Sequence, residues 1–218
     1  MSTGILIMAK APRPGEVKTR LEPLLGADGC AGLQVELIRQ TAAWVAGCSR
    51  TSWLAFTPDA AHEEVARLIP PTVRLFPQRG RDLGERLRHA TGVANHAHDG
   101  PVAVIGTDAP ELGPVHLRFA EQELARGHDA CLIPALDGGY ALIALARPSP
   151  EAFELPPAAW GGPDVLALTI TALRDAGRSC ALLEPVRDLD TPEDARCVAA
   201  DPRCPEAIRH ALQDRMAV

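Results

Sequence analysis

Residues 9 to 21 read AKAPRPGEVKTRL, and here Lys10, Arg13, Lys18 and Arg20 stand against a single acid, Glu16, in a chain whose formal net charge is -6. Pro12 and Pro14 stiffen the segment, and Gly15 lets the backbone turn sharply. A rigid loop with clustered cations is suited to a polyphosphate, because lysine supplies a point charge and arginine can grip two oxygens at once. The alternative is a solvated basic loop. Lys18-Thr19 has the look of a Walker loop, but the glycine before the lysine is absent. No GxGxxG is present either, which argues against a dinucleotide site.

Carboxylates make up the other half of the chemistry. GTDAPEL, residues 106 to 112, follows the apolar run Val102–Ile105 and puts Asp108 at its tip. Asp108 is either a helix cap or a hook for something positive. Pro114 opens a helix soon after, yet Glu111 or the backbone around Gly113 is nearer that start. DLDTPED, residues 188 to 194, is a second acidic cluster, in which Thr191 or Asp190 could cap a helix begun by Pro192. Two acids at separate strand ends beside a basic loop suggest a divalent cation bridging protein to nucleotide phosphates, since magnesium uses one or two carboxylates plus phosphate oxygens. Such a metal screens charge and acts as a Lewis acid.

Two further stretches complete the set. PALDGGYALIAL, residues 134 to 145, offers Asp137 as a general base or acceptor-binding group, with Gly138 and Gly139 permitting close approach of backbone to ligand. An ordinary Asp-Gly hairpin turn explains the same residues; Tyr140, the chain's one tyrosine, stands beside it. In QRGRDLGERL, residues 78 to 87, Gly80 and Gly84 flank Asp82, so backbone N–H groups there could read a base or ribose, or simply start a helix.

The elements that must position these residues follow from periodicity. Strands are expected at Gly4–Ala9, Ser52–Thr57, Val73–Phe76, Val102–Ile105, Ala130–Pro134, Tyr140–Ala146 and Ser179–Leu183. Helices are expected at Asp28–Ala46 with an Asp cap, Ala60–Leu68, Asp82–His96 capped by Asp82, Pro114–Arg126 and Pro163–Ala176, with two short helices closing the chain. Strands alternating with helices imply a mostly parallel sheet with helices on both faces, and ligands of such sheets bind beyond the carboxyl ends of the strands. Asp108 and the first loop both lie at such ends. No repeat or linker divides the 218 residues, so one domain, 1–218, is expected.

Composition bounds the rest. The acidic balance argues against a nucleic-acid partner, which needs a basic face. No run reaches the ~18–20 apolar residues that span a bilayer, and Gly4–Ala9 leads straight into a basic loop, the wrong order for a signal peptide. A cytoplasmic protein without membrane partners is expected. The cysteines at 30, 48, 131, 180, 197 and 204 form no CxxC pair. Cys131 and Cys180 read as buried small hydrophobes. His96, His98 and Asp99 read as a solvated helix end rather than a metal site.

The ordered set MAKAPRPGEVKTRL, QRGRDLGERL, GTDAPEL, PALDGGYALIAL, WGGPDVLALT and DLDTPEDA resembles a family of small bacterial glycosyltransferase-like proteins that includes proteins associated with arsenosugar biosynthesis. That family belongs to the nucleotide-diphospho-sugar transferase (GT-A type) superfamily and is distantly similar to the 2-phospholactate and molybdenum-cofactor guanylyltransferases. The resemblance covers residues 4 to 196. It implies a three-layer α/β/α sandwich with a mostly parallel, Rossmann-like sheet. It implies a nucleotide site at Ala9, Lys10, Pro12, Lys18, Arg20, Gln78, Gly80, Leu83, Gly84 and Thr107, with Lys18 and Arg20 at the phosphates. Asp108 and Asp190 would be ligands of Mg²⁺ or Mn²⁺. Asp137, Gly138, Gly139 and Tyr140 would face the acceptor, with Lys18 and Asp137 as the catalytic pair.

Two departures bear on the reaction. Glycosyltransferases of the superfamily usually show Asp-x-Asp, whereas Asp108 is followed by Ala109 and Pro110. After Trp160 the chain reads Gly161-Gly162-Pro163, where relatives more often carry a small hydroxyl residue. The leading expectation is a metal-dependent transferase using a nucleotide sugar and a small-molecule acceptor. The alternative is nucleotidyl transfer from a nucleoside triphosphate to a small phosphorylated acceptor, and a reading of another class is a non-catalytic nucleotide-binding module. Oligomeric state is not legible, because no exposed apolar stripe stands apart from the core periodicity.

Overall fold

Apolar runs with almost no exposed side chain, such as Ile5, Leu6 and Ile7 at 0%, can only be strands covered on both faces, the signature of a parallel sheet between helices. In the computed structural model, which describes residues 2–216, they form a seven-stranded sheet. Its strands are β1 (Gly4–Lys10), β2 (Ser52–Thr57), β3 (Arg74–Pro77), β4 (Val102–Ile105), β5 (Ala130–Pro134), β6 (Tyr140–Leu145) and β7 (Cys180–Leu182), in the order β3-β2-β1-β4-β6-β5-β7. Every pairing is parallel except those of β6, which runs antiparallel to both β4 and β5.

Helices α1 (Glu22–Gly47) and α4 (Pro114–Ala125) are on one face, while α3 (Leu83–His96) and α5 (Val165–Asp175) are on the other. This is visible in the two core clusters that the sheet separates, one holding Ile38 and Leu117 and the other Leu87 and Leu173. The C-terminal pair α6 (Pro192–Ala200) and α7 (Glu206–Met216) packs Ile208 and Leu212 against Leu33 and Leu37 of α1 in a third cluster. The three-layer, mostly parallel architecture expected from the sequence is therefore the observed one.

Several boundaries differ, each for a local reason. Helical residues begin at Glu22 rather than Asp28, because Pro23 suits a first turn, and Gly26, at the non-helical φ 68° and ψ 166°, separates that short turn from the main helix, which resumes one residue before the expected Asp28 start. The N-cap of the first turn is Leu21. The stretch expected as one helix at 60–68 divides into a 3-10 turn, Asp59–Ala61, and a five-residue helix α2, His62–Ala66. Helix α5, expected from Pro163, starts at Val165, two residues later, because the Pro163 backbone is packed against Gly138. The Asp82 cap of α3 is present, its carboxylate accepting from Glu85 N–H at 2.9 Å.

All six cysteines are free, and burial pushes the Cys131 thiol up to about 12. Cys30 and Cys204 are buried with Cys131, whereas Cys180, expected to be buried, is only half-buried and Cys197 is exposed. His98 is tied to the Ser2 carbonyl at 2.9 Å and packs edge-on against Trp53, so it is held in place rather than fully solvated. Among the described residues no helix is long and apolar enough to cross a membrane.

Candidate active site

The basic loop leaves β1 at Lys10, is anchored by Ala11 N–H to the Thr57 carbonyl at 2.8 Å, and turns through Gly15 at φ 76°. It ends at Lys18, which is unusual in two ways. It holds a left-handed backbone, φ 51° and ψ 34°, although it is not a glycine, a conformation that costs a non-glycine residue about 1–2 kcal/mol. Its side chain is also only 4% exposed. A buried ammonium must be paired, and this one is: Nζ donates to the Leu189 carbonyl at 2.8 Å and stands 2.6 Å from Asp108 Oδ1. Strain and buried charge at one residue are a pattern of functional positions.

The question raised by Asp108 is answered by α4. The N-cap there is Gly113, whose N–H donates to His116 Nδ1 at 3.2 Å, so Asp108 is not the cap. Its side chain is 56% exposed, and its carbonyl accepts from Leu189 N–H at 2.8 Å, which joins the two acidic loops backbone to backbone. Asp190 is likewise not the cap of α6. Thr191 and Asp194 form that capping box, and Asp190 Oδ2 instead meets Arg20 at 2.8 Å. Both carboxylates are thus available at the ends of neighbouring loops, each held by a cation of the first loop.

These groups open onto a cleft of about 430 Å³ at the carboxyl ends of β1 and β4. Of the residues singled out from the sequence, Ala9, Lys10, Lys18, Gln78, Leu83, Thr107, Asp108, Asp137, Gly139, Tyr140 and Asp190 line it. Pro12, Arg20, Gly80, Gly84 and Gly138 are not among the lining residues. Arg20 is exposed and reaches the cleft only through Asp190. The glycines serve packing. A Cβ on Gly80 would meet Glu85 Cβ at 2.6 Å, and one on Gly84 would meet the Phe153 carbonyl and Trp160 Nε1, each at 2.6 Å. One on Gly138, at φ 94°, would meet the Pro163 carbonyl at 2.0 Å. The close approach that Gly138 permits is therefore to protein backbone, not to ligand.

Other side chains are committed to the frame. Gln78 Nε2 donates to the carbonyls of Ala9 at 3.1 Å and Ala55 at 2.9 Å, holding the end of β1. Asp137 Oδ1 accepts from Gly139 N–H at 2.9 Å, so the turn expected there exists, yet the carboxylate still faces the cleft. The Tyr140 hydroxyl is buried, with Thr169 the neighbouring polar side chain, and burial raises its ionisation well above the ordinary tyrosine range. What this side chain presents to the cleft is carbon.

Residues not picked out from the sequence complete the lining. Gln34 of α1 donates through Nε2 to the Lys10 carbonyl and to Thr107 Oγ1, both at 3.3 Å, tying β1 to the loop after β4. A buried polar residue between Leu33 and Leu37 was the available signal. Asp188 is half-buried, and burial, then the neighbouring charge of Asp137, pushes its carboxyl up to about 6. Period-2 alternation with Asp190 across Leu189 marks it in the sequence. Arg86 and Trp160 also line the cleft.

Among the described residues no group of three or more His, Cys, Asp or Glu is arranged to hold a metal ion by itself. Asp108 and Asp190, two carboxylates on joined loops, fit the smaller protein contribution that magnesium takes when phosphate oxygens supply the rest.

A family model described as "Uncharacterized protein conserved in bacteria (DUF2064)" matches residues 37–161. No sequence among curated proteins matches the chain. A solved structure of a candidate nucleotide-diphospho-sugar transferase from Desulfovibrio desulfuricans G20 is similar over 100% of this chain and 96% of its own, at TM-score 0.87 and 29% identity. CMP:2-keto-3-deoxy-manno-octonic acid synthetase complexed with CTP is similar over 90% of this chain and 97% of its own, at TM-score 0.56 and 16% identity. A candidate glucose-1-phosphate thymidylyltransferase from Bacillus anthracis covers 97% and 96%, at TM-score 0.57 and 13% identity. The last two share the fold.

Proposed function

The chain belongs to the family described as "Uncharacterized protein conserved in bacteria (DUF2064)", and from that premise and the cleft geometry we propose that it is a metal-dependent transferase using an activated nucleotide, with a nucleotide sugar as donor. The observation that carries this reading is Lys18: strained, buried and clamped between Asp108 and the Leu189 carbonyl at the mouth of the cleft. The whole-chain likeness to a candidate nucleotide-diphospho-sugar transferase supports it, as does the single seven-stranded sheet for one transferase domain over 1–218.

In this reading Lys10 and Lys18 face the phosphates, Asp108 and Asp190 would hold Mg²⁺ or Mn²⁺, and Arg20 acts through Asp190. When bound, the metal screens the charge of the departing diphosphate. An acceptor hydroxyl oxygen bonds to the anomeric carbon as the bond from that carbon to the diphosphate oxygen breaks. The electron pair leaves on the diphosphate, and the hydroxyl proton passes to Asp137. The preformed cations lower the barrier because they need no reorganisation as charge develops.

One observation favours nucleotidyl transfer as a second reading. Asp108 is followed by Ala109 and Pro110, so the loop presents a single carboxylate to the cleft, and Lys18 is fixed on it. In that chemistry an acceptor phosphate oxygen attacks the α-phosphorus of a nucleoside triphosphate and pyrophosphate departs, which asks for positioning and charge neutralisation more than for a base.

Thermal unfolding against nucleotide sugars and nucleoside triphosphates, each with and without Mg²⁺ or Mn²⁺, tests both. A ligand at 100 times its dissociation constant stabilises by about 2.7 kcal/mol. Metal-dependent stabilisation by a nucleotide sugar, lost in Asp108→Ala, supports glycosyl transfer; the same pattern for a triphosphate alone favours the second reading. Nucleotide binding without turnover of any acceptor would leave a binding module, and no stabilisation by any nucleotide would overturn the proposal.

A further inference from the structure

The cleft has a second half beyond the basic loop. The sheet order separates the two: Lys10 ends β1, while Asp137 lies on the hairpin between β5 and β6, with β4 between them. On the hairpin side Asp137 and Asp188 face the cleft. The charged groups that act on Asp188 are Asp137, Asp194 and Asp190, all acidic. Arg187 is turned away to Asp194 at 2.9 Å, Arg20 is held by Asp190 at 2.8 Å, and Lys18 by Asp108 at 2.6 Å. A carboxylate is an acceptor only, so these two invite donors.

Trp160 is a further wall of the cleft, and it is built in. Gly84 leaves room for the indole and Gly138 for the Pro163 backbone, and either site closes if a Cβ is added. Leu166 N–H donates to the Gly138 carbonyl at 3.0 Å, locking the segment behind Trp160 to the hairpin that carries Asp137. Trp160 Nε1 is buried, so the side chain shows carbon to the cleft. Its ring carries a negative face that attracts weakly positive C–H groups.

We propose that this half of the cleft binds an unphosphorylated polyhydroxylated compound, a neutral or amino sugar, whose hydroxyls donate to Asp137 and Asp188 and whose C–H face stacks on Trp160. As the acceptor it deepens the transferase reading above, on which its role as acceptor rests, and it disfavours anionic acceptors. A phosphate ester beside Asp137 and Asp188 would meet two carboxylates, while Lys10 and Arg86, which also line the cleft, stand at the end of β1 and on α3.

The test is a titration with glucose, glucosamine and glucose 6-phosphate at fixed ionic strength. It follows the difference in tryptophan emission between the protein and Trp160→Phe, with circular dichroism showing both folded. Glucose and glucosamine are expected to change the Trp160 emission, and glucose 6-phosphate to bind at least tenfold more weakly. In Asp137→Asn/Asp188→Asn, and in Asp137→Asn alone if the double variant does not fold, that gap narrows. A phosphate ester that binds as tightly as its parent sugar overturns the proposal, as does a Trp160 signal that no sugar moves. Thermal shift with nucleotide and metal on the same samples separates the two ideas. Nucleotide binding without sugar binding removes this inference alone. Sugar binding without nucleotide binding leaves the sugar site and removes the transferase.

Discussion

Lys18 Nζ stands 2.6 Å from Asp108 Oδ1, joining the loop after β1 to the loop after β4 across 90 positions of sequence (108 − 18). Because Nζ also donates to the Leu189 carbonyl, one side chain gathers three loops at the mouth of the cleft. Removing the charge and the strain together isolates its role. Lys18→Gly frees the left-handed backbone, returning about 1–2 kcal/mol, against the loss of a charged hydrogen bond to the Leu189 carbonyl worth about 1.5–3 kcal/mol and of the ion pair to the exposed Asp108 carboxylate worth about 0–1 kcal/mol. Stability in urea is expected to fall by no more than about 3 kcal/mol, while nucleotide affinity falls tenfold or more. Equal affinity in calorimetry would remove Lys18 from the phosphate site.

Asp190 tests the metal reading without disturbing the core. Its partner Arg20 is 66% exposed, and an exposed ion pair contributes only about 0–1 kcal/mol. Asp190→Asn is therefore expected to unfold at nearly the same temperature as the parent. The metal-dependent part of nucleotide stabilisation should disappear. Survival of that part in a thermal-shift assay assigns Asp190 no place at the metal.

Gly138 and Gly139 are neighbours with opposite expectations. A Cβ at Gly138 would lie 2.0 Å from the Pro163 carbonyl in a backbone of φ 94°, whereas at Gly139 the nearest atom is Asp137 Oδ1 at 3.2 Å. Gly138→Ala is expected to cost about 2–4 kcal/mol, from strain and forced displacement, and Gly139→Ala under about 1 kcal/mol. Urea denaturation of both variants decides it, and equal costs would contradict the packing described.

His116 gives the fold a pH dependence. Burial lowers its pKa below the ordinary histidine value, and its Nδ1 accepts from Gly113 N–H at the start of α4. Since the folded pKa is the lower one, the unfolded chain binds the proton first. The stabilisation is complete above the unfolded value near 6.5 and is lost as pH falls through the depressed folded value. Denaturation midpoints between pH 8 and 5 should drop more steeply for the parent than for His116→Asn; parallel profiles would assign the cap no titration.

Much of this was legible along the chain because it rests on local chemistry. Val102–Ile105 and Ala130–Pro134 are strands at the expected bounds, since continuous apolar runs admit little else, and Asp82 caps α3 as its position before Leu83 demands. Asp108 stands out as a charged group just after a buried strand, Lys18 in a positive loop and Asp190 in an acidic cluster.

The alternation of strands and helices and the identity of the charged groups near the strand ends could be read along the chain, because periodicity and residue type are properties of neighbours. Their partners come from the folded arrangement. It clamps Lys18 on Asp108 and Leu189, sends Arg20 to Asp190, and shows that Gly84 and Gly138 make room for Trp160 and Pro163 rather than for ligand. It also brings Asp188 beside Asp137. These are contacts between segments up to 171 residues apart, set by the order β3-β2-β1-β4-β6-β5-β7, and no spacing along one chain encodes which strand lies beside which.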